Sequence, residues 1–281
     1  MTMKKGKIDS LTLHQHATDP VLCTVDADGI ATLTLNRPHV HNAFDNHSIA
    51  TLLDYLNQLS ALPMLRLLVL RANGRHFSAG ADLGWMQSMI TISNEENIKD
   101  ANQLADLLHT LDTFPTPTIA LIQGYAYGGA LGLICCCDIA IASRDARFCF
   151  SEVKIGLIPA TIAPYVCRSL GQRQARRYML TAEIISAHQA THLNLIHRIV
   201  ATSKTLDDSL QHHIDMILTN SPNAMRKAKV LCKACETDAI DAALRQKTAQ
   251  MMAEIRTSPE GQEGLNAFLA KRLPEWNDGN E

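Results

Sequence analysis

The sequence predicts an α/β protein whose chain ends in a helical subdomain, and two patterns indicate this. Up to about residue 200, short runs rich in β-branched residues alternate with segments whose apolar residues recur at helical spacing. That order is typical of parallel strands joined by crossover helices. After about residue 203 the pattern is purely helical. We therefore expect an α/β domain over residues 1–200 and a helical subdomain over residues 201–281.

A hairpin and then a helix are expected at the start of the α/β domain. Val21 to Val25 and Ile30 to Leu35 are β-rich runs, and Asp26 to Gly29 between them carry a turn signal. A helix should begin near Ser48, a candidate cap, because apolar residues then recur at helical spacing. Those residues are Ile49, Leu52, Leu53, Leu56 and Leu59.

The alternation continues through the middle of the chain. The predicted elements are a buried strand over Leu67–Leu70, an amphipathic helix over 94–111, strands over Thr118–Ile122 and Ile139–Ala142, and a helix between these two strands that ends near Cys136. The C-terminal helices are predicted over 204–218, 222–235, 237–256 and 259–272. The strand–helix order supports the α/β class.

The longest uncharged stretch, Thr113 to Cys137, has 25 residues, which is long enough to span a membrane. Pro115, Pro117, Gln123 and several glycines interrupt it. A lipid-facing helix of this composition would leave backbone groups without partners, so we expect no membrane span. The stretch should instead be buried inside the α/β domain.

Composition and charge exclude several classes of protein. The 281 residues are 46% apolar and 19% charged, an ordinary globular balance that argues against disorder. With 26 Lys and Arg against 28 Asp and Glu, the formal charge is −2. A chain so close to neutral has no general electrostatic attraction for nucleic acid or an anionic membrane. We expect neither as a partner.

The cysteines indicate a reducing compartment. There are eight, and Met1 to Asp9 contain lysines without the apolar run of a signal peptide, so we expect a cytoplasmic protein with free thiols. Cys232 and Cys235 have the spacing of half a zinc site, but no second pair matches them. We predict no metal.

Two glycine-containing segments could bind a ligand through their backbone. His76 to Asp82 follow a predicted strand and are small enough for a ligand to approach the amides, although an ordinary loop of small residues would look the same. Gly124 to Gly132 follow another strand and open a helix, where free amides suit a developing negative charge. This second segment lacks the dinucleotide spacing and the lysine of a phosphate-binding loop.

One carboxylate lies in unusually apolar surroundings. Glu152 sits between Phe148 and Pro159, among apolar residues that should raise its pKa toward neutrality and suit it to proton transfer. The alternative is a solvated glutamate at the end of a strand, paired with Lys154. The three features together favour a catalytic site.

These stretches, taken in order along the chain, resemble the crotonase superfamily of enoyl-CoA hydratases and isomerases. The matching segments are Leu33–Pro38 with Asn42–Phe44, Phe77–Asp82, Ile122–Gly129, Cys137–Ala140, Phe150–Pro159, and Ser258–Gly261 with Ala267–Arg272. The resemblance covers nearly the whole chain and implies a crotonase-like ββα spiral core. A shared superfamily does not by itself decide the reaction.

The resemblance implies a specific catalytic set. The thioester carbonyl would lie between the backbone amides of Ala79 and Gly129, and Glu152 would exchange a proton with the carbon skeleton of the substrate. Coenzyme A would be part of the substrate, with no separate cofactor. The expected substrate- and CoA-binding residues are Ala79, Gly80, Ala81, Asp82, Gly128, Arg37, His76 and Lys271. The resemblance also implies a homotrimer or a dimer of trimers, assembled through the C-terminal helices.

One departure from the family pattern leaves the reaction open. Hydratases with two glutamates carry the second, which activates water, at the position of Gly132 here. Members with one glutamate are often isomerases that move a double bond from the 3- to the 2-position. Segments Ser78–Met86 and Ser151–Val166 nevertheless look most like methylglutaconyl-CoA and carboxygeranoyl-CoA hydratases. Hydration of a branched enoyl-CoA, with 3-methylglutaconyl-CoA as the expected substrate, is therefore the first hypothesis, and isomerisation is the second.

A third hypothesis comes from another class: a protein that binds a CoA ester or RNA without turnover. Arg226 to Lys233 form a short basic stretch that could contact RNA, but it is equally the solvated face of one helix. The net charge of −2 favours the helix face.

Overall fold

The computed structural model describes residues 11–12, 16–236 and 240–277, so Met1 to Asp9, which bear on the signal-peptide expectation, lie outside it. The described chain forms two compact units. The first contains the described residues up to Phe114 together with Thr118–Leu210; the second contains Pro115–Pro117 and the described residues from Gln211 onward. The boundary thus lies about ten residues beyond the expected position, within a helix.

The strands and helices are numbered in chain order. The strands are β1 (Leu11–Thr12), β2 (Val21–Val25), β3 (Ile30–Leu35), β4 (Leu67–Ala72), β5 (Thr118–Ile122), β6 (Tyr125–Tyr127), β7 (Ile139–Ser143), β8 (Arg147–Cys149), β9 (Ile185–Ser186) and β10 (Arg198–Val200). The helices are α1 (Asn46–Ser60), α2 (Leu83–Met89), α3 (Asn94–Asp112), α4 (Gly129–Cys136), α5 (Ala163–Leu170), α6 (Gln172–Thr181), α7 (Ala187–His192), α8 (Leu206–Leu218), α9 (Pro222–Ala234), α10 (Ala242–Thr257) and α11 (Pro259–Leu269). Short 3₁₀ turns lie at Pro38–Val40, Glu152–Ile155, Ser203–Thr205 and Glu275–Asn277.

The first unit is built on a mainly parallel sheet. Its strand order is β1-β2-β3-β4-β5-β7-β10, with antiparallel pairing only from β1 to β3. A smaller sheet, in the order β6-β8-β9, contains the strand that leads into α4. β5 is buried along its whole length, as expected of a central parallel strand covered on both faces. The predicted hairpin and β5 are confirmed residue for residue.

Helix α1 begins two residues before the predicted start. Asp45 is its N-cap and accepts from the Ser48 amide at 2.8 Å, while Ser48 Oγ accepts from the Asp45 amide at 2.9 Å. This reciprocal arrangement is a capping box, in which the predicted cap occupies the third helical position. Buried leucines of α1 and α3 then close the core over the sheet.

The second unit is helical, as expected. Its last 3₁₀ turn, Glu275–Asn277, is hydrogen-bonded to the loop that follows α8. Trp276 Nε1 donates to the Thr219 carbonyl oxygen at 3.1 Å. The indole lies so close to Gly264 that a Cβ there would be 2.9 Å from the ring. The basic stretch Arg226 to Lys233 lies on α9, where Lys229 Nζ donates to the Thr116 carbonyl oxygen at 2.9 Å.

The uncharged stretch forms β5, β6 and α4 instead of a continuous helix. Among the described residues, no helix combines the length and the hydropathy needed to cross a membrane.

Candidate active site

Glu152 lies where the smaller sheet ends. It opens the 3₁₀ turn Glu152–Ile155, which follows β8 and closes at Gly156 in the left-handed conformation (φ 79°). Its Oε2 atom is buried and has no hydrogen-bond partner in the described part of the chain. Burial raises the pKa of this carboxyl above its ordinary value because water no longer stabilises the charged form. The structure therefore shows a desolvated carboxyl group here, and no ion pair with Lys154.

The turn before α4 faces this carboxyl group. Gly128 has φ 55°, and a Cβ at this position would lie 3.3 Å from Glu152 Oε1. The Gly128 amide donates to the Cys149 carbonyl oxygen at 3.0 Å, which joins the turn to β8. Gly129 is the first residue of α4, and its amide has no acceptor among the described residues. A free amide at a helix start favours negative charge, and the oxyanion role of Gly129 stays a prediction.

The amide of Ala79 is already occupied. Ser78 exchanges hydrogen bonds with β6, donating to the Tyr125 carbonyl oxygen and accepting from the Tyr127 amide, each at 3.0 Å. The next amide points to the opposite side, and Ala79 N–H donates to the His41 carbonyl oxygen at 2.9 Å. It is therefore not available to a substrate, and its prediction as an oxyanion donor is wrong.

Ala81 supplies the free amide on this loop. The Phe44 amide donates to the Gly80 carbonyl oxygen at 2.7 Å, and the Asp82 amide donates to the Phe44 carbonyl oxygen at 2.8 Å. Because Gly80 O and Asp82 N both face Phe44, the Ala81 amide between them faces away. It has no acceptor among the described residues. A Cβ at Gly128 would lie 3.8 Å from the Gly80 Cα, so this loop and the α4 turn are neighbours.

Asp82 and Arg37 are engaged with the protein itself. Asp82 caps α2, accepting from the amides of Gly84 at 2.8 Å and Trp85 at 3.2 Å. Its other carboxylate oxygen lies 3.0 Å from Arg37 Nη2, and Arg37 Nη1 lies 3.0 Å from Asp45. Both side chains are largely shielded from solvent. These contacts hold the loop, and the CoA-binding role expected of Arg37 and Asp82 stays a prediction.

His76 has a similar internal role. Its ring is buried, Nδ1 accepts from the Tyr125 amide at 3.1 Å, and the ring stacks on Tyr125 with centroids 4.4 Å apart. Burial, together with the neighbouring His41 and Arg75, lowers the pKa of His76, and the bond from the Tyr125 amide requires Nδ1 to carry no proton. The binding of CoA by His76 stays a prediction. Lys271, just beyond α11, belongs to the second unit, and its role stays a prediction.

An apolar wall fills the space behind the α4 turn. A Cβ at Gly132 would lie 2.4 Å from Ile162 Cγ2 and 3.0 Å from Leu108 Cδ2, much closer than carbon atoms pack. Both neighbours are fully buried. A Cβ at Gly129 would lie 3.9 Å from Leu104 Cδ2. No side chain larger than hydrogen fits at position 132 unless its neighbours move. The position that carries the second carboxylate in two-glutamate hydratases therefore has no carboxylate here and no room for one.

Three site features were not predicted from the sequence. They are the backbone hydrogen bonds between Phe44 and residues 80 and 82, the free amide at Ala81 instead of Ala79, and the packing of Ile162 against Gly132. The loop of small residues gives no signal of which amide faces the site, because alternate amides of an extended segment are chemically alike. The sequence did contain a signal for Phe44, which lies in a segment that resembles the family.

Comparison with known proteins identifies the family of the chain. The sequence model of the enoyl-CoA hydratase/isomerase family matches residues 26–279. The 2,3-dehydroadipyl-CoA hydratase of Escherichia coli is 31% identical over 248 residues, covering 88% of this chain and 94% of its own.

Solved structures show the same fold. An enoyl-CoA hydratase from Shewanella pealeana superposes with a TM-score of 0.89 at 49% identity, covering 92% of this chain and 96% of its own. One from Mycobacterium smegmatis gives 0.86 at 34% identity, covering 92% and 98%. The expected crotonase-like fold is thereby confirmed. The chain belongs to the enoyl-CoA hydratase/isomerase family of the crotonase superfamily.

Proposed function

We propose that this enzyme hydrates a 2-enoyl-CoA thioester, and dehydrates the product in the reverse direction, through an enolate. The thioester oxygen accepts hydrogen bonds from the amides of Ala81 and Gly129. Glu152 gives its proton to the α-carbon and takes one from the water whose hydroxide adds to the β-carbon, so the carboxyl group is regenerated. The observation that carries this proposal is the buried Oε2 atom of Glu152, which has no partner among the described residues, in a carboxyl group beside the turn that holds the free Gly129 amide. Coenzyme A belongs to the substrate, and the proton transfer uses no further cofactor.

The two kinds of group have complementary tasks. As the α-proton leaves, negative charge moves onto the thioester oxygen, where fixed amides stabilise it more than they stabilise the neutral carbonyl. One such donor typically contributes about 10²–10³ in rate. The raised pKa of Glu152 brings it closer to the working pH, so that the group can both release and accept the proton.

For the acyl group we propose a branched chain, with 3-methylglutaconyl-CoA as the substrate to test first. The support is the resemblance of Ser78–Met86 and Ser151–Val166 to hydratases of that group.

A second candidate function is the transfer of a double bond from the 3- to the 2-position of an enoyl-CoA. The packing of Gly132 against Ile162 favours it, because no carboxylate can enter there to activate water. Glu152 alone would remove the proton from C2 and return it to C4, and the same two amides would stabilise the dienolate intermediate.

A panel of enoyl-CoA esters distinguishes the two. Hydration removes the absorbance of a conjugated enoyl thioester, whereas isomerisation of a 3-enoyl ester creates it. Glu152→Gln keeps the shape of the side chain and should abolish either activity; Glu95→Gln, at an exposed glutamate in α3, is the matched control and should not. Turnover of neither class by the wild-type protein, or full activity of Glu152→Gln, would overturn the proposal.

We also propose that the chain assembles as a homotrimer or a dimer of trimers. The support is the apolar end of α11, where Phe268 and Leu269 are 81% and 77% exposed. Light scattering on a gel-filtered sample should give three or six times the mass of the chain, 30.9 kDa. A monomeric mass would contradict this.

A further inference from the structure

Arg37 joins two helix starts through a single guanidinium. Asp45 caps α1 and Asp82 caps α2, and both carboxylates lie 3.0 Å from Arg37, one at each terminal nitrogen. The same Nη1 atom donates to the Ala43 carbonyl oxygen at 2.6 Å. Only 19% of the Arg37 side chain is exposed. A planar guanidinium that contacts two carboxylates fixes their separation in a way that a lysine ammonium cannot.

Arg37 itself is fixed from the backbone side. Its backbone amide donates to Asn42 Oδ1 at 2.8 Å. The side-chain Nδ2 of Asn42 donates to the carbonyl oxygens of Asn73 and His76, each at 2.8 Å. Asn42 is buried and has φ 55°, a left-handed conformation that asparagine tolerates better than most residues. Arg37 therefore extends from a base that is held at several points.

The Asp82 end of this bridge is the end that matters for catalysis. Asp82 directly follows Ala81, and it is held by Arg37 through its side chain and by the Phe44 carbonyl oxygen through its amide. The Ala81 amide has no acceptor among the described residues, so its direction depends on the peptides on either side. Asp45, in contrast, is the N-cap of α1, and it does not adjoin the Ala81 amide.

We propose that Arg37 is a positioning residue: through Asp82 it holds the Ala81 amide in the direction that stabilises the enolate. This inference rests on the proposed function. It replaces the expectation that Arg37 binds CoA, and the two differ in measurable ways. A residue that binds CoA lowers KM for the thioester; one that aligns an oxyanion donor raises kcat.

The experiment uses matched substitutions of the two aspartates. Asp82→Asn keeps an oxygen to cap α2 but removes the charge that Arg37 contacts; Asp45→Asn does the same at α1. Arg37 stays bonded to Ala43 in both variants. We expect Asp82→Asn to lower kcat roughly 10-fold with KM within about twofold of wild type, since small misplacements of a reacting group have effects of this size or larger. Asp45→Asn should leave kcat within about twofold.

A spectroscopic readout keeps this inference separate from the proposed function. The carbonyl stretch of bound ¹³C-labelled butyryl-CoA, a saturated thioester that cannot be hydrated, shifts to lower frequency when amides donate to the oxygen. We expect part of this shift to be lost in Asp82→Asn and Arg37→Met and kept in Asp45→Asn. Arg37→Lys should recover little, because an ammonium cannot contact both carboxylates in the same geometry.

The outcomes separate the two claims. If wild-type protein turns over no enoyl-CoA, the proposed function fails, and the carbonyl shift alone decides the role of Arg37. Equal losses of kcat in the two aspartate variants, or an unchanged carbonyl shift in Asp82→Asn, would overturn the positioning role. A rise in KM with an unchanged kcat in Asp82→Asn would instead indicate that Arg37 binds CoA.

Discussion

The packing at Gly132 allows a quantitative prediction for Gly132→Ala. A Cβ there would lie 2.4 Å from Ile162 Cγ2, about 1 Å inside the ~3.5 Å at which carbon atoms begin to pack well. Leu108 stands 3.0 Å away on the other side, and Ile162 is 1% exposed, so neither can move into solvent. Overpacking of this kind costs about 1–3 kcal/mol. Alanine is better than glycine in a helix by about 1 kcal/mol, which leaves a net loss of up to about 2 kcal/mol.

The assay for this prediction is a double-mutant cycle on the free energy of unfolding in urea. Ile162→Ala removes Cγ2, so Gly132→Ala in that background should be neutral or stabilising by up to about 1 kcal/mol. Ile162→Val is the matched control, because valine keeps both γ carbons and therefore the close contact. If Gly132→Ala lowers stability equally in the Ile162→Ala and Ile162→Val backgrounds, the contact with Ile162 is not its cause.

Four further predictions concern Glu152, Gly128 and Trp276. Dehydration needs the carboxylate of Glu152, so its rate should fall as pH falls through the raised pKa in a pH–rate profile; a pH-independent rate would contradict this. Burial raises the pKa of Glu152 in the folded state, so its charged form opposes folding. Glu152→Gln should therefore increase the free energy of unfolding at neutral pH, and this gain should disappear as the pH falls below the ordinary glutamate pKa. An equal gain at all pH values would refute this link between the pKa and stability. Gly128→Ala should lower kcat roughly 10²-fold or more, because alanine strains at φ 55° and approaches Glu152 Oε1 to 3.3 Å, and wild-type kinetics would refute it. Trp276→Phe should lose the hydrogen bond to Thr219 and about 0.5–1.5 kcal/mol of stability in urea, whereas an unchanged midpoint would show that the bond contributes nothing.

Elements with strong local patterns could be predicted from the sequence. β2, β3 and β5 match their predicted bounds because alternation or complete burial of apolar residues leaves few other solutions. β6 was missed because it has only three residues within a glycine-rich turn, and it is held by pairing with β8, which is distant in sequence. Such pairing leaves no local pattern.

The site shows the same division. Glu152 and Gly129 could be proposed because their surroundings, apolar residues and a helix start, are visible in the sequence. The choice between Ala79 and Ala81 depends on which backbone groups face residues 41–44, a contact between segments almost forty residues apart. The closed position at Gly132 depends on Ile162, thirty residues later. Each of these is a consequence of tertiary packing.

The central claim is that Glu152 exchanges a proton with the α-carbon of the substrate, and solvent deuterium tests it most directly. Wild-type enzyme should hydrate an enoyl-CoA in D₂O to a product that carries one deuterium at C2 in a single stereochemical position, measured by NMR. Glu152→Gln, which neither donates nor accepts a proton at that position, should give no such product. Stereospecific deuterium at C2 in the Glu152→Gln reaction, at a rate like that of wild type, would contradict the account.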